Sequence, residues 1–502
     1  MAGRQLIGVD VGTTGVKAVL IDEVGSVLAD LTVAHDLHSP HTGWAEEDPE
    51  DWIVGTISTL QGIATDSAFE PEHLAGVGVS GMVPALVLLD AQGKPLRPSI
   101  QQNDARAHVE VLEISSEIDQ ASLFSRTGGR TNLQHIAPRL RWVQRHEPEI
   151  WRKTRTILGS YDYVTACLTG EHPASCSLEL NWAIESGLFS LSEQDWADDL
   201  LSSVNLSRDY LPPVRQPVDI VGALSSQVSA QTGLPAGVPV IAGSADHIAS
   251  ALASGLRENG DTLIKFGGAG DILYCSDSLV THPDLFIDAH DIPGKYLLNG
   301  CMAASGSLVK WYVGDILGRP VMKATLQELD AQAEQVPAGS DGVVVLPYFL
   351  GEKTPILDPL ARGVIFGLDL SHGPQHIFRA VLESVIFGFR HHVDVLNEAG
   401  RHPTRFLATN GGVGSGIWRQ IAADVLGEPV TSFRHHPGSC LGVAFVAGMA
   451  TGVFSEWDDI DRFLLAAVVN RPDPANKIVY ERQYKTYRQL YVRLQSLFQT
   501  SW

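Results

Sequence analysis

Short β-branched runs open the chain, and longer stretches with apolar residues three or four apart follow them. LIGVDVG (6–12), TTGVKAVLID (13–22) and SVLADLTVA (26–34) predict three strands. The first two meet at a glycine-bearing turn, and EVG (23–25) turns the chain into the third. The period then changes. Trp52, Ile53, Ile57 and Leu60 recur at helical spacing behind Pro49, which predicts a helix over 49–66. The same reading predicts strands over 74–80 and 85–90, helices over 107–117, 138–147 and 161–168, and a Pro-rich loop over 209–217.

The second half opens on a strand over 239–242 that runs through Gly243 into a helix rich in Ala and Ser. Strands over 261–266 and 271–274 follow, divided by Gly267, Gly268 and Gly270. This repeats the strand, glycine turn, strand device of residues 5–21 and predicts a boundary near residue 250, with domains over 1–250 and 251–502. Further on come a strand over 343–347, a long helix over 375–396, and a strand over 405–409 feeding Asn410–Ser415. Helices through Trp418 to Leu426 and over 440–448 complete an α/β pattern.

Length agrees with two domains, since 502 residues exceed what one hydrophobic core usually serves. A formal charge of −22 argues against nucleic acid and anionic membranes as partners. Five scattered cysteines without a CxxC pair argue against a disulfide framework and a structural zinc site. The start, MAGRQLIGVDVG, enters a strand without a leader pattern, and no apolar stretch has membrane-spanning length, so a cytoplasmic location is expected. The 48 glycines matter more, because they gather where backbone would approach a ligand.

Three glycine clusters are candidate phosphate or nucleotide cradles. Gly12, Thr13 and Thr14 lie in a turn whose N–H and hydroxyl groups suit phosphate oxygens, with Lys17 on the next strand and Asp10 placed to hold Mg²⁺. Gly267, Gly268 and Ala269 form the second cluster. Gly411, Gly412 and Ser415 form the third, at a strand-to-helix junction where a helix N-terminus favours negative charge. Each also reads as an ordinary turn. Neither a Walker A loop nor a strand-to-helix GxGxxG is present at the first strand.

Asp246 opens a helix near the expected boundary, where a carboxylate can take the proton from a hydroxyl accepting a phosphoryl group. The same position suits a helix N-cap. Asn103, Asp104 and Arg106 form a compact polar group fit for a polyhydroxylated ligand or for a surface turn. Trp44, Met82 and Pro84 read as a pocket wall or as core.

Taken in order, these segments resemble the FGGY family of carbohydrate kinases. The resemblance runs through IGVDVGTTGVKAVLID (7–22), GWAEEDPEDW (43–52), NDAR (103–106), HIAPRLRWVQRHEPEIW (135–151), AGSADH (242–247), RGVIFGLDLSHGPQHIFRAVLESVIF (362–387) and GGVGSGIWRQIAADVLGEPV (411–430). It implies two ribonuclease-H-like domains of the actin, Hsp70 and sugar kinase type flanking a central cleft. Sugar is expected mainly on the N-terminal side and ATP with Mg²⁺ mainly on the C-terminal side. Asp246 falls on the family's catalytic base, and Met82, Val83, Asn103, Asp104, Arg106 and His247 fall on the substrate side. The family suggests a homodimer. The overall look is nearest to xylulokinases, with Arg139 where many members have lysine. Pro84 replaces their pocket histidine, Gln102 replaces the tryptophan before NDxR, and Ala245 replaces the glycine before the base. The implied activity is ATP-dependent phosphorylation of a small sugar, a ketopentose first. The alternatives are a kinase of another polyol, tetrulose or carbonyl signalling molecule, and a non-catalytic ATP-binding protein of the same superfamily.

Overall fold

The computed structural model describes residues 3–170, 175–433, 438–464 and 467–500. The chain divides into two units. The first comprises Met1–Gly255, Ile287–Tyr296 and Pro437–Leu464, and the second comprises Leu256–Phe286, Leu297–His436 and Leu465–Trp502. Two stretches from the second half of the chain thus belong with the first unit.

The first unit is built on a sheet of β1 (Gln5–Gly12), β2 (Gly15–Asp22), β3 (Val27–Ala34), β4 (Leu74–Gly81), β5 (Ile220–Ala223) and β6 (Pro239–Ile241), ordered β5-β6-β4-β1-β2-β3. A short β7 (Ser244–Ala245) also pairs with β4. β1 runs antiparallel to β2 and parallel to β4. Every β1 residue except Asp10 and Gly12 is buried. A near-continuous apolar strand of this kind needs cover on both faces. The helix Pro49–Ala64 covers one face, and its Gly55 lies so close to Val16 that a Cβ would sit 2.8 Å from it. The helix Ser439–Ala450 covers the other, buried from Ser439 through Gly448. A Cβ at Gly8 would stand 1.9 Å from the Cys440 carbonyl oxygen, so this contact is backbone against backbone. Leu6, Val19, Ile241, Leu252, Val443 and Phe445 share the resulting core.

The second unit repeats the plan. β8 (Asp261–Phe266), β9 (Gly270–Ser276), β10 (Tyr296–Met302), β11 (Arg405–Thr409), β12 (Val430–Phe433) and β13 (Ala467–Asn470) follow the order β10-β9-β8-β11-β12-β13. β8 is antiparallel to β9 and parallel to β11, as β1 is to β2 and β4. The expected likeness of the two glycine hairpins therefore extends to the sheets built around them. Phe266 packs between Trp418 and Phe389, with ring centroids 5.0 and 5.9 Å away.

Predicted elements fall within a few residues of those observed, including Pro49–Ala64, Leu74–Gly81, Pro374–Glu398 and Arg405–Thr409. The terminal helix Lys477–Thr500 lies outside the predicted elements. Its signal was present, because Tyr480, Tyr484 and Tyr487 lie on one helical face and are buried. The expected loop over 209–217 contains a helical turn, Arg208–Tyr210, and a short strand, Val214–Arg215.

Candidate active site

Strand register assembles the first part of the site. Asp10 stands opposite Ser80 on parallel β4 and opposite Lys17 on antiparallel β2. The Ser80 hydroxyl donates to the Asp10 carboxylate at 2.7 Å, and Lys17 pairs with Asp30 at 2.9 Å. Burial pushes the Asp10 carboxyl up to about 6, and the nearby Asp246 adds to the rise. The Ser80 and Ser439 hydroxyls and the Lys17 charge oppose it. Ser439 begins the helix that arrives from late in the chain.

Pairing of Gly12 with Gly15 leaves Thr13 and Thr14 as a two-residue turn. Neither glycine lies in the left-handed region. Gly15 is required for space, since a Cβ there would meet the Val33 carbonyl oxygen at 2.6 Å. The Thr13 hydroxyl rests on the Met82 sulfur at 3.2 Å, which brings the turn against the predicted pocket wall.

β7 pairs Ser244 with Ser80 and Ala245 with Gly81, which delivers residue 246 beside the same strand ends. Ala245 is the N-cap and Asp246 is the first helical residue. The Asp246 carboxylate accepts the N–H of His247 at 2.6 Å and remains about one-third exposed. His247 approaches Asp288 at 3.3 Å and Asp246 at 3.6 Å. Burial disfavours its charged form, but Asp246, Asp288 and Glu185 outweigh burial and hold it well above the usual imidazole range. Burial pushes the Glu185 carboxyl up to about 8, with Asp288 adding and His247 opposing. Asn181, on the same short helix as Glu185, accepts the Ala289 N–H at 2.8 Å and so fixes Asp288 next to Glu185.

Arg139 organises the wall. Its fully buried guanidinium donates to the carbonyls of Pro84 at 2.8 Å and of Gln102 and Leu133 at 3.0 Å. Met82 and Val83 are buried, and Ser160 donates to the Met82 carbonyl at 2.7 Å. The Asp104 carboxylate takes the Ala45 N–H at 2.6 Å and three N–H groups of Arg106. Arg106 also reaches Glu46 at 2.7 Å and lies 3.8 Å from the centroid of the Trp44 ring. Asp104 and Arg106 are therefore committed to each other behind the surface, whereas Asn103 is exposed.

In the second unit, the carbonyls of the 267–269 turn receive a helix start. Gly267 accepts the Gly306 N–H at 2.7 Å, and Gly268 accepts the N–H groups of Ser305 and Ser307 at 2.9 and 3.1 Å. A Cβ on Gly267 would lie 3.1 Å from the Asn410 amide, so two of the glycine clusters adjoin. Gly268 and Gly411 face open space, whereas a Cβ on Gly412 would meet Phe266 at 2.5 Å. The Ser415 hydroxyl accepts the Trp418 N–H at 3.2 Å as a helix cap.

Residues 5–253 match the N-terminal domain of the FGGY family of carbohydrate kinases, and residues 277–451 match its C-terminal domain. The chain belongs to the FGGY family of carbohydrate kinases. It is 31% identical over 492 residues to the xylulose kinase of Escherichia coli K12, covering 97% of this chain and 99% of that protein. It is 28% identical over 497 residues to the xylulose kinase of Bacillus subtilis 168, covering 98% of each. The crystal structure of xylulose kinase from Rhodospirillum rubrum superposes with a TM-score of 0.93 at 43% identity, covering 99% of this chain and 100% of that one. As an FGGY kinase the protein is a phosphotransferase acting with ATP on a small sugar or polyol. Both units have the α/β, ribonuclease-H-like character of that family. Among the described residues, no helix is long and apolar enough to cross a membrane.

Glu185, Asp288, Ser80 and Ser439 were not among the predicted residues. Only Asp288 carried a local signal, the acid-and-histidine run DAHD at 288–291. The others reach the site through strand register and helix packing.

Proposed function

We propose that the enzyme transfers the γ-phosphoryl group of ATP to a hydroxyl of a ketose, a ketopentose first, with Asp246 as general base. The observation that carries this reading is the placement of Asp246. Its carboxylate is partly exposed on the first turn of a helix, within electrostatic reach of the half-buried Asp10 at the end of β1. Asp246 would accept the acceptor proton as the phosphoryl group moves. N–H groups at Gly12, Thr13 and Thr14 would bind phosphate oxygens, and the 267–269 turn with Gly411, Gly412 and Ser415 would bind the nucleotide. Asp10 suits Mg²⁺, being a half-buried hard oxygen donor whose charge a cation would offset. When bound, that ion neutralises charge on the phosphates. Met82, Val83, Asn103 and His247 would face the acceptor, and Asp104 with Arg106 would hold Trp44 in place.

A second reading rests on Pro84. It stands where xylulokinases carry a pocket histidine, and its carbonyl is held by Arg139, so this part of the wall offers the acceptor no imidazole. That favours tetruloses and small polyols as acceptors beside ketopentoses. A screen of ATP consumption over ketopentoses, tetruloses and polyols separates the two readings. Asp246→Ala is expected to lower kcat by roughly 10² to 10⁴ while ATP binding survives. Near-normal turnover by that variant on the best acceptor would remove Asp246 as the base.

A further inference from the structure

Glu185 ends the helix Leu180–Glu185 and belongs to none of the motifs that mark the family. One of its carboxyl oxygens, an imidazole nitrogen of His247 and a carboxylate oxygen of Asp288 all lie within 4.8 Å of one another. Glu185 and His247 are half-buried and Asp288 is buried. Glu185 also lies within electrostatic reach of Asp246 and Arg139.

The cations around this space are already engaged. His247 is paired with Asp288 and Asp246. Arg139 is shared among three backbone carbonyls. Arg106 is held by Asp104 and Glu46. An acceptor bearing a carboxylate would bring negative charge up to Asp246 and Asp288 and find none of these three cations uncommitted. A neutral hydroxyl both donates and accepts, and suits a mixed carboxyl and imidazole wall.

We propose that Glu185, together with His247 and Asp288, is the acceptor-selecting wall beside Asp246: it hydrogen-bonds a hydroxyl of a neutral polyhydroxy acceptor, and sugar acids are refused. This rests on the kinase reading with Asp246 as base. Glu185 positions the acceptor, His247 is held in place by Asp288, and neither carboxyl takes part in the chemical step.

The test is steady-state kinetics on the full-length enzyme with MgATP, using neutral ketoses and polyols of three to six carbons and the corresponding aldonates. Wild type is expected to phosphorylate neutral acceptors and to turn over aldonates at least about 100-fold less efficiently, the scale of leaving a buried charge unpaired. Glu185→Ala is expected to raise KM for the acceptor about tenfold or more, with KM for ATP unchanged, and Glu185→Gln should restore part of that loss. Melting curves accompany both variants. If Glu185→Ala unfolds early, the near-isosteric Gln variant carries the test through its acceptor KM. Equal efficiency on an aldonate and a ketose, or an unchanged acceptor KM in a folded Glu185 variant, would overturn the proposal. A wild type that binds ATP but phosphorylates none of the panel would overturn the kinase reading, and the wall falls with it.

Discussion

The Arg139 guanidinium donates to the Pro84 carbonyl at 2.8 Å, and its other amino group holds Gln102 and Leu133. One buried side chain thereby ties the segment after β4 to the segment that leads into Asp104. Its burial pulls it down to about 10, with Asp104 and Glu185 opposing.

Lysine is not equivalent here. A compact ammonium cannot span three carbonyls set by a planar fork. Arg139→Lys is expected to leave at least one buried carbonyl unpaired, at about 1–3 kcal/mol. It should also raise the acceptor KM more than the ATP KM. A melting temperature and both KM values equal to wild type would show that Arg139 does not organise the wall.

Within the first unit, the helix Ser439–Ala450 packs against its neighbours through glycines. Gly442 is helical, so alanine would gain about 1 kcal/mol of intrinsic propensity. Its Cβ, however, would stand 1.9 Å from the Ala249 carbonyl oxygen, a backbone atom that cannot swing aside. Overpacking costs about 1–3 kcal/mol or more, so Gly442→Ala is expected to lower the melting temperature. An unchanged or higher melting temperature would refute the close contact.

Neighbouring glycines in the 410–415 turn should behave differently. Gly412→Ala would press on Phe266 and is expected to destabilise the second unit. Gly411→Ala meets open space, so its stability should match wild type, while its KM for ATP should rise if nucleotide approaches this backbone. Thermal melts and ATP titrations of the pair distinguish packing from binding. Equal destabilisation by both substitutions would contradict the geometry.

Glu47 offers a pH signature. It is fully buried, Trp52 donates to it at 2.8 Å, and burial pushes its carboxyl up to about 8 from 4.5. The folded state therefore holds this proton where the unfolded state has released it. The associated stability is complete below about pH 4.5 and is lost as pH rises toward 8. Glu47→Gln keeps an acceptor for Trp52 and carries no proton to lose. Melting temperatures from pH 5 to 8 should fall less steeply for this variant, with the largest gain over wild type at pH 8. Parallel pH profiles would contradict the assignment.

Local pattern determined much of this protein. The β-branched runs specified β1, β2 and β3, and the glycine turns marked both hairpins, because strand period and turn chemistry act over a few residues. Ordered motifs from residue 7 to residue 430 identified the kinase family. Tertiary structure decided which side chains share the site. Ser80 meets Asp10 through parallel pairing across 70 positions. Asp288 meets His247 because residues 287–296 join the first unit. Ser439 reaches Asp10 because the apolar helix it begins, from late in the chain, needs a buried face and finds it on β1. Such contacts depend on register and on the matching of buried surfaces, which no local window of sequence contains.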